Sequence, residues 1–260
     1  MSYETLDVTR DGRGVVTVRL DRPDMHNALS APMMDELTAV AAMLAADGSR
    51  VVVLTGTGRS FCAGGDLGWM RAQFDAPPEA RATEGRRLAH MLQAWNTLPK
   101  PVIGRVQGNA FGGGVGLACI CDVAIGAVGA LFGLTETRLG LIPATIGPYV
   151  IARMGEGRAR RVFMSSRRFD AAEAVDLGIL ARVVEAEALD AAVEAEVAPY
   201  LACAPGAVAE AKRLARALGP VIDEATIERT IEALIARWEG DEAAEGVGAF
   251  FEKRPPRWAG

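Results

Sequence analysis

Three observations predict an α/β fold with a helical C-terminal part. Short β-branched runs alternate with helical periodicity through the first two thirds of the chain. Two of those runs lead straight into glycine-rich loops and then helices. From about Asp170 onwards the 260-residue chain reads almost wholly as helix. At the N-terminus, LDVT and VVTVRL flank DGRG, and Val16, Val18 and Leu20 alternate onto one face, which predicts a hairpin. Ser30 reads as an N-cap with Pro32 in the first turn, and Met33, Leu37, Val40 and Leu44 keep helical spacing until Asp47-Gly48. RVVVLTG reads as a strand buried on both faces. Leu88, Met91, Trp95 and Leu98 mark a second helix stopped by PKP, and PVIGRVQG, CDVAIG and ALFGL are further strands. DAPPE, residues 75–79, reads as a mobile loop, and no fixed-period repeat or low-complexity tract interrupts the pattern.

Composition narrows the function. With 28 Lys and Arg against 33 Asp and Glu, the net charge of −5 argues against nucleic acid as a partner. Cys62, Cys119, Cys121 and Cys203 form no CxxC pair, which fits reduced thiols in a cytoplasmic protein. MSYETLDVTRDG has no basic segment followed by an apolar core, so no secretory signal is read there. The span 108–134 carries only Asp122 as a charge, but its glycines and that aspartate argue against a membrane helix. Only His26 and His90 are available as imidazoles, so no metal site is expected. GRSFC around Ser60 fails the nucleophile-elbow pattern at its last position. GTG at 56–58 follows a strand as a dinucleotide turn would, but Phe61 stands where the third glycine belongs.

What remains is a pair of loops. RSFCAGGDL follows one strand and NAFGGGVGL follows another. Two backbone N–H groups converging there would form an oxyanion hole, and small residues would let a carbonyl approach. A helix starting near Gly113 would add its positive end. The glycines alone are equally compatible with close helix–strand packing.

RPDMHNALS, SFCAGGDLGWM, GNAFGGGVGLACICDVAI, FGLTETRLGLIPATIG and FFEKRPPRW occur in an order and spacing that resemble the crotonase, or enoyl-CoA hydratase/isomerase, superfamily. The resemblance covers nearly the whole chain. It implies a crotonase-like spiral of ββα units over residues 1–195, a helical trimerisation region over 196–260, and a homotrimer or dimer of trimers. It implies an acyl-CoA thioester as substrate, with coenzyme A part of that substrate and no separate cofactor. The oxyanion donors it implies are the N–H groups of Ala63 and Gly113.

The resemblance also implies proton carriers. Two-carboxylate hydratases of the family hold one glutamate where this chain has Gly116, and another where it has Glu136. Glu136 is therefore expected to be the sole catalytic carboxylate, against the alternative of a surface carboxylate paired with Arg138 or Arg105. DLGWM and TETRLGLIPATIGPYV look similar to the methylglutaconyl-CoA hydratase-like branch, which implies hydration of a short or branched 2-enoyl-CoA in branched-chain acid or fatty acid metabolism. A one-glutamate 3-enoyl to 2-enoyl isomerase and a non-catalytic acyl-CoA binding protein are the alternatives. Gly116 and Trp69 are expected to line the acyl site, and His26 and Arg22 to contact the coenzyme A moiety. Lys253 or Arg254 is expected to reach its phosphates. Asp66 reads as a helix cap and Asp122 as an acceptor for backbone donors. Ile227, Ile231, Leu234 and Trp238 form an apolar stripe that needs burial against the body or a partner.

Overall fold

The computed structural model describes residues 3–259. Its strands are β1 (Leu6–Arg10), β2 (Val15–Leu20), β3 (Val51–Gly56), β4 (Ser60–Cys62), β5 (Val102–Val106), β6 (Asn109–Phe111), β7 (Val123–Ala127), β8 (Leu131–Gly133), β9 (Arg168–Asp170) and β10 (Arg182–Val184). The helices are α1 (Ala31–Ala46), α2 (Leu67–Phe74), α3 (Pro78–Asn96), α4 (Gly113–Ile120), α5 (Gly147–Met154), α6 (Glu156–Phe163), α7 (Ala171–Asp176), α8 (Leu189–Leu201), α9 (Pro205–Ala217), α10 (Glu224–Trp238) and α11 (Asp241–Phe251).

The expected hairpin forms, with Val8 opposite Val18, and Ser30 caps α1 by accepting from the Met33 N–H. The strands build two sheets, in the orders β1-β2-β3-β5-β7-β10 and β4-β6-β8-β9. In the larger sheet every pair after the hairpin is parallel, and all of β3 is buried, as its unbroken apolar run requires. The pairs β3/β4, β5/β6 and β7/β8 each supply one longer strand to the first sheet and one three-residue strand to the second. The sequence reading took β4 and β6 for loops. Three residues each, they are too short to show alternation, and their pairing with one another is what defines them.

This second sheet positions the site. Cys62 pairs with Ala110 and Phe111 with Gly133 in parallel register. Parallel neighbours end on the same side. The segments leaving β4, β6 and β8 therefore emerge together, and these are Ala63–Gly65, Gly112–Gly113 and Leu134–Glu136.

Helices cover both sheets. The main core joins Val18, Leu37, Leu54, Trp95, Val115 and Phe132, while Val193 and Val197 of α8 pack on Val53, Ile103 and Ile125. Helix α8 runs from 189 to 201, so the boundary expected at 195/196 falls inside it. The loop expected over the DAPPE stretch shrinks to residues 75–77, since α2 ends at Phe74 and α3 starts at Pro78 and takes in Glu79. Arg81 closes this link by donating to the carbonyls of Gln73 and Phe74. Within α10, Ile227 and Ile231 bury against Ala82 and Ala89 of α3. The predicted stripe therefore finds its cover inside the same chain. No helix among the described residues is long and apolar enough to cross a membrane.

Candidate active site

A cavity of about 440 Å³ opens where the three loops meet, and Ala63, Gly65, Trp69, Gly112, Gly113 and Glu136 all line it. The two glycine loops touch. A Cβ placed on Gly64 would stand 2.9 Å from the Phe111 carbonyl and 3.6 Å from the Gly113 nitrogen.

Backbone hydrogen bonds decide which donors face the cavity. The Ala63 N–H donates to the His26 carbonyl at 3.0 Å, so Ala63 is not a free donor and its expected role is corrected. Leu29 donates to the Gly64 carbonyl at 2.7 Å, and Asp66 donates back to the Leu29 carbonyl at 3.0 Å. Between them, the Gly65 N–H has no acceptor among the described residues, and neither does the Gly113 N–H. Gly65 was missed by the sequence reading. The available signal was Asp66: a cap that accepts from Gly68 and Trp69 holds the preceding residue just outside α2.

The three adjacent glycines serve different ends. Gly112 has φ +48°, a left-handed conformation, and a Cβ there would lie 3.1 Å from Glu136 Oε1. Gly114 lets α4 lie on the end of β4, since a Cβ there would stand 2.1 Å from the Cys62 carbonyl. Gly113 presents its N–H at the first turn of α4, where the helix dipole favours negative charge. The open N–H and the close packing thus fall to different residues, the first to Gly113 and the second to Gly114.

Glu136 opens a short 3-10 turn over Glu136–Leu139, and its Oε2 is buried with no hydrogen-bond partner. Burial pushes its carboxyl up to about 7, because little around it compensates the charge taken from water. It forms no ion pair with Arg138 or Arg105; Arg105 pairs with Asp190. The turn is held from two sides. Ser166 Oγ accepts from the Arg138 N–H at 3.0 Å and lies 2.6 Å from Thr137 Oγ1. From the C-terminal helices, Arg237 donates to the Gly140 carbonyl at 3.2 Å. Ser166 and Arg237 were also missed, because they act from distant segments that only the fold brings to the turn.

Other expected residues fall differently. Trp69 lines the cavity, and its Nε1 donates to Glu84 Oε2 at 2.6 Å. Gly116 does not line it: Ile146 covers that part of α4, with Cγ2 2.7 Å from where a Cβ on Gly116 would stand. Arg22 and His26 lie outside the cavity lining. Arg22 pairs with Asp66 at 3.0 Å and donates to the Ala28 carbonyl, and His26 Nδ1 lies 3.1 Å from Ser60 Oγ. Both hold the loop before α1. Arg254 is paired with Glu245 and Glu252. Asp122 accepts from the Val102 N–H and pairs with Lys212, as its acceptor role requires. Cys62 is fully buried with its thiol pushed up to about 12, which leaves it inert.

A spiral of ββα turns whose second sheet gathers loops at one edge, followed by a helical C-terminal region, defines the crotonase class of fold. Comparison with known proteins agrees. The sequence profile of the enoyl-CoA hydratase/isomerase family matches residues 10–260. A probable enoyl-CoA hydratase of Rhodobacter capsulatus is 34% identical, with both chains covered completely. Among solved structures, an enoyl-CoA hydratase from Mycobacterium avium subsp. paratuberculosis superposes with TM-score 0.86 at 28% identity, over 98% of this chain and 99% of that one. Pseudomonas aeruginosa AtuE gives TM-score 0.81 at 39% identity, over 99% of this chain and all of that one. The chain belongs to the enoyl-CoA hydratase/isomerase family, and it is an enzyme of that type acting on acyl-CoA thioesters.

Proposed function

We propose that this enzyme hydrates a short or branched 2-enoyl-CoA, using Glu136 as its only proton-carrying side chain. The observation that carries the reading is the Glu136 carboxylate, buried and unpartnered at Oε2 beside two free N–H groups. The thioester oxygen accepts from Gly65 and Gly113. As water adds to Cβ, charge moves onto that oxygen and the two donors hold the enolate. One oxygen of Glu136 takes the proton released by water while the other delivers its proton to Cα. Glu136 ends as it began, and the product carries the elements of water. A carboxyl at about 7 populates both forms near neutrality, which suits a group that gives and takes in one cycle.

A second reading has its own support. Among the described residues, Glu136 is the one carboxylate lining the cavity, and the α4 position at Gly116 faces hydrocarbon instead. A single base that removes a proton at one carbon and returns it two carbons away would convert a 3-enoyl-CoA into a 2-enoyl-CoA without water. Mass spectrometry of products from crotonyl-CoA and from a 3-enoyl-CoA separates the readings. Hydration adds 18 mass units to the first; isomerisation leaves the mass of the second unchanged and is blind to labelled water at Cβ. A chain that binds both and converts neither would be an acyl-CoA binding protein.

Assembly as a homotrimer or dimer of trimers belongs to the same proposal. Met164 is 68% exposed and Val221 69%, and both line an apolar groove between α5, α6 and the start of α10. Large apolar side chains left this open on one chain support cover by a second copy. Light scattering that gives a monomer mass at micromolar concentration would remove that part.

A further inference from the structure

We infer that Ile146, seated on Gly116, is the residue that sets which acyl groups the cavity accepts. The inference rests on the acyl-CoA reading above and concerns its specificity. Helix α4 turns one stripe towards the cavity, since residues three apart share a face. At its start Gly113 offers the N–H proposed to hold the thioester oxygen. Three residues on, Gly116 offers no side chain, and Ile146 fills the room: a Cβ at 116 would meet Cγ2 of Ile146 at 2.7 Å and its Cβ at 3.1 Å. Ile146 is itself 2% exposed and lines the cavity, so its branched side chain is both wall and plug.

The plug is rigid. Ile146 is β-branched, so its χ1 has few alternatives, and it sits at the start of α5, where its carbonyl accepts from the Val150 N–H. Leu92 of α3 backs the same spot, 3.9 Å from the hypothetical Cβ. The chain running on from the thioester therefore meets a hydrocarbon surface that cannot swing aside. That surface admits a small acyl group and stops a long one. It also leaves a water molecule no polar partner along this part of α4.

Binding of saturated acyl-CoAs tests this without requiring turnover. Calorimetric Kd values for butyryl-CoA and octanoyl-CoA are compared in the wild type and in Ile146→Ala. The expected outcome is a wild type that favours butyryl-CoA and a variant whose preference shifts towards octanoyl-CoA by about tenfold or more, the scale of a few methylene groups in an apolar pocket. An unchanged ratio would overturn the role of Ile146. If neither thioester binds the wild type, the acyl-CoA reading fails instead, so the two failures are distinct. The contact has its own readout. Gly116→Ala alone should lower Tm by about 5 °C or more through overpacking. Gly116→Ala with Ile146→Ala should lose clearly less than the sum of the single changes. Strict additivity would mean that the two residues do not share the space.

Discussion

The Glu136 carboxylate stands over the bare Cα of Gly112: a Cβ added to Gly112 would lie 3.1 Å from Oε1. The proposed proton carrier thus faces the strand-to-helix corner that precedes the Gly113 N–H. Gly112→Ala should disturb both. Its φ of +48° strains any L residue, at a cost on the order of 1–3 kcal/mol, and its methyl would push Glu136 away. The expected outcome is a folded variant with lower Tm and a kcat reduced at least tenfold. Full activity would show that the carboxylate does not work from this corner.

The oxyanion pair makes a selective prediction. Removing one such donor costs roughly 10²–10³ in rate. A side chain at Gly113 must displace Leu29, whose Cδ1 would lie 2.7 Å from the new Cβ, and it intrudes where the thioester carbonyl would sit. Gly113→Val should therefore lose turnover by about that factor while keeping its circular dichroism spectrum. Ala63→Gly leaves every N–H in place, with the one at 63 still bound to His26, and should keep turnover within a few-fold. Infrared spectra of a bound acyl-CoA would report the same site, through a lowered thioester C=O frequency that Gly113→Val reverses.

Ser166 should act through the turn that carries Glu136. It is 5% exposed, has φ +48°, and its hydroxyl serves the Arg138 N–H and Thr137. Ser166→Ala leaves the part-buried Arg138 N–H without this partner, at a cost of about 1 kcal/mol, while Thr137 keeps only the Met164 carbonyl. The variant should lose kcat more than it raises KM, because substrate contacts are untouched and the position of Glu136 is not. A change in Tm with kinetics intact would make Ser166 purely structural.

Much of this was legible in the sequence, and the exceptions share a cause. The long strands and helices carry their own periodicity, so the hairpin, α1, β3, α3 and β5 are predictable locally. The order of motifs led to the spiral and to Glu136. Strands β4 and β6 have three residues each and exist through pairing with each other, so only the three-dimensional register finds them. The loop before α1 decides that Gly65 rather than Ala63 keeps an open N–H, through the His26 carbonyl and the bridge at Leu29. Gly116 was expected at the site because the family resemblance places a glutamate at that position. The side chain that occupies the space belongs to Ile146, thirty residues further on, and no local pattern links the two.

Glu136 also ties stability to pH. Its folded carboxyl, at about 7, lies above the unfolded value of about 4.3, so the native state holds a proton that the unfolded chain has released between those values. Stability from this group is therefore present below pH 4.3 and is lost as pH rises to 7, by up to about 4 kcal/mol at 1.36 kcal/mol per pH unit. Glu136→Gln removes the ionisation. Its Tm should exceed that of the wild type at pH 8 and match it near pH 4. Equal differences at both pH values would place the carboxyl in water.

The same substitution gives the most direct measurement of the central claim, that Glu136 alone carries the proton. Glu136→Gln keeps the side chain's shape, and its amide cannot pass a proton between water or substrate and Cα. Turnover of crotonyl-CoA and of a 3-enoyl-CoA is measured with calorimetric binding of butyryl-CoA on the same preparation. The account predicts loss of both turnovers by about 10²-fold or more with Kd within a few-fold of wild type. A Glu136→Gln enzyme that binds acyl-CoA and still turns over at the wild-type rate would contradict it.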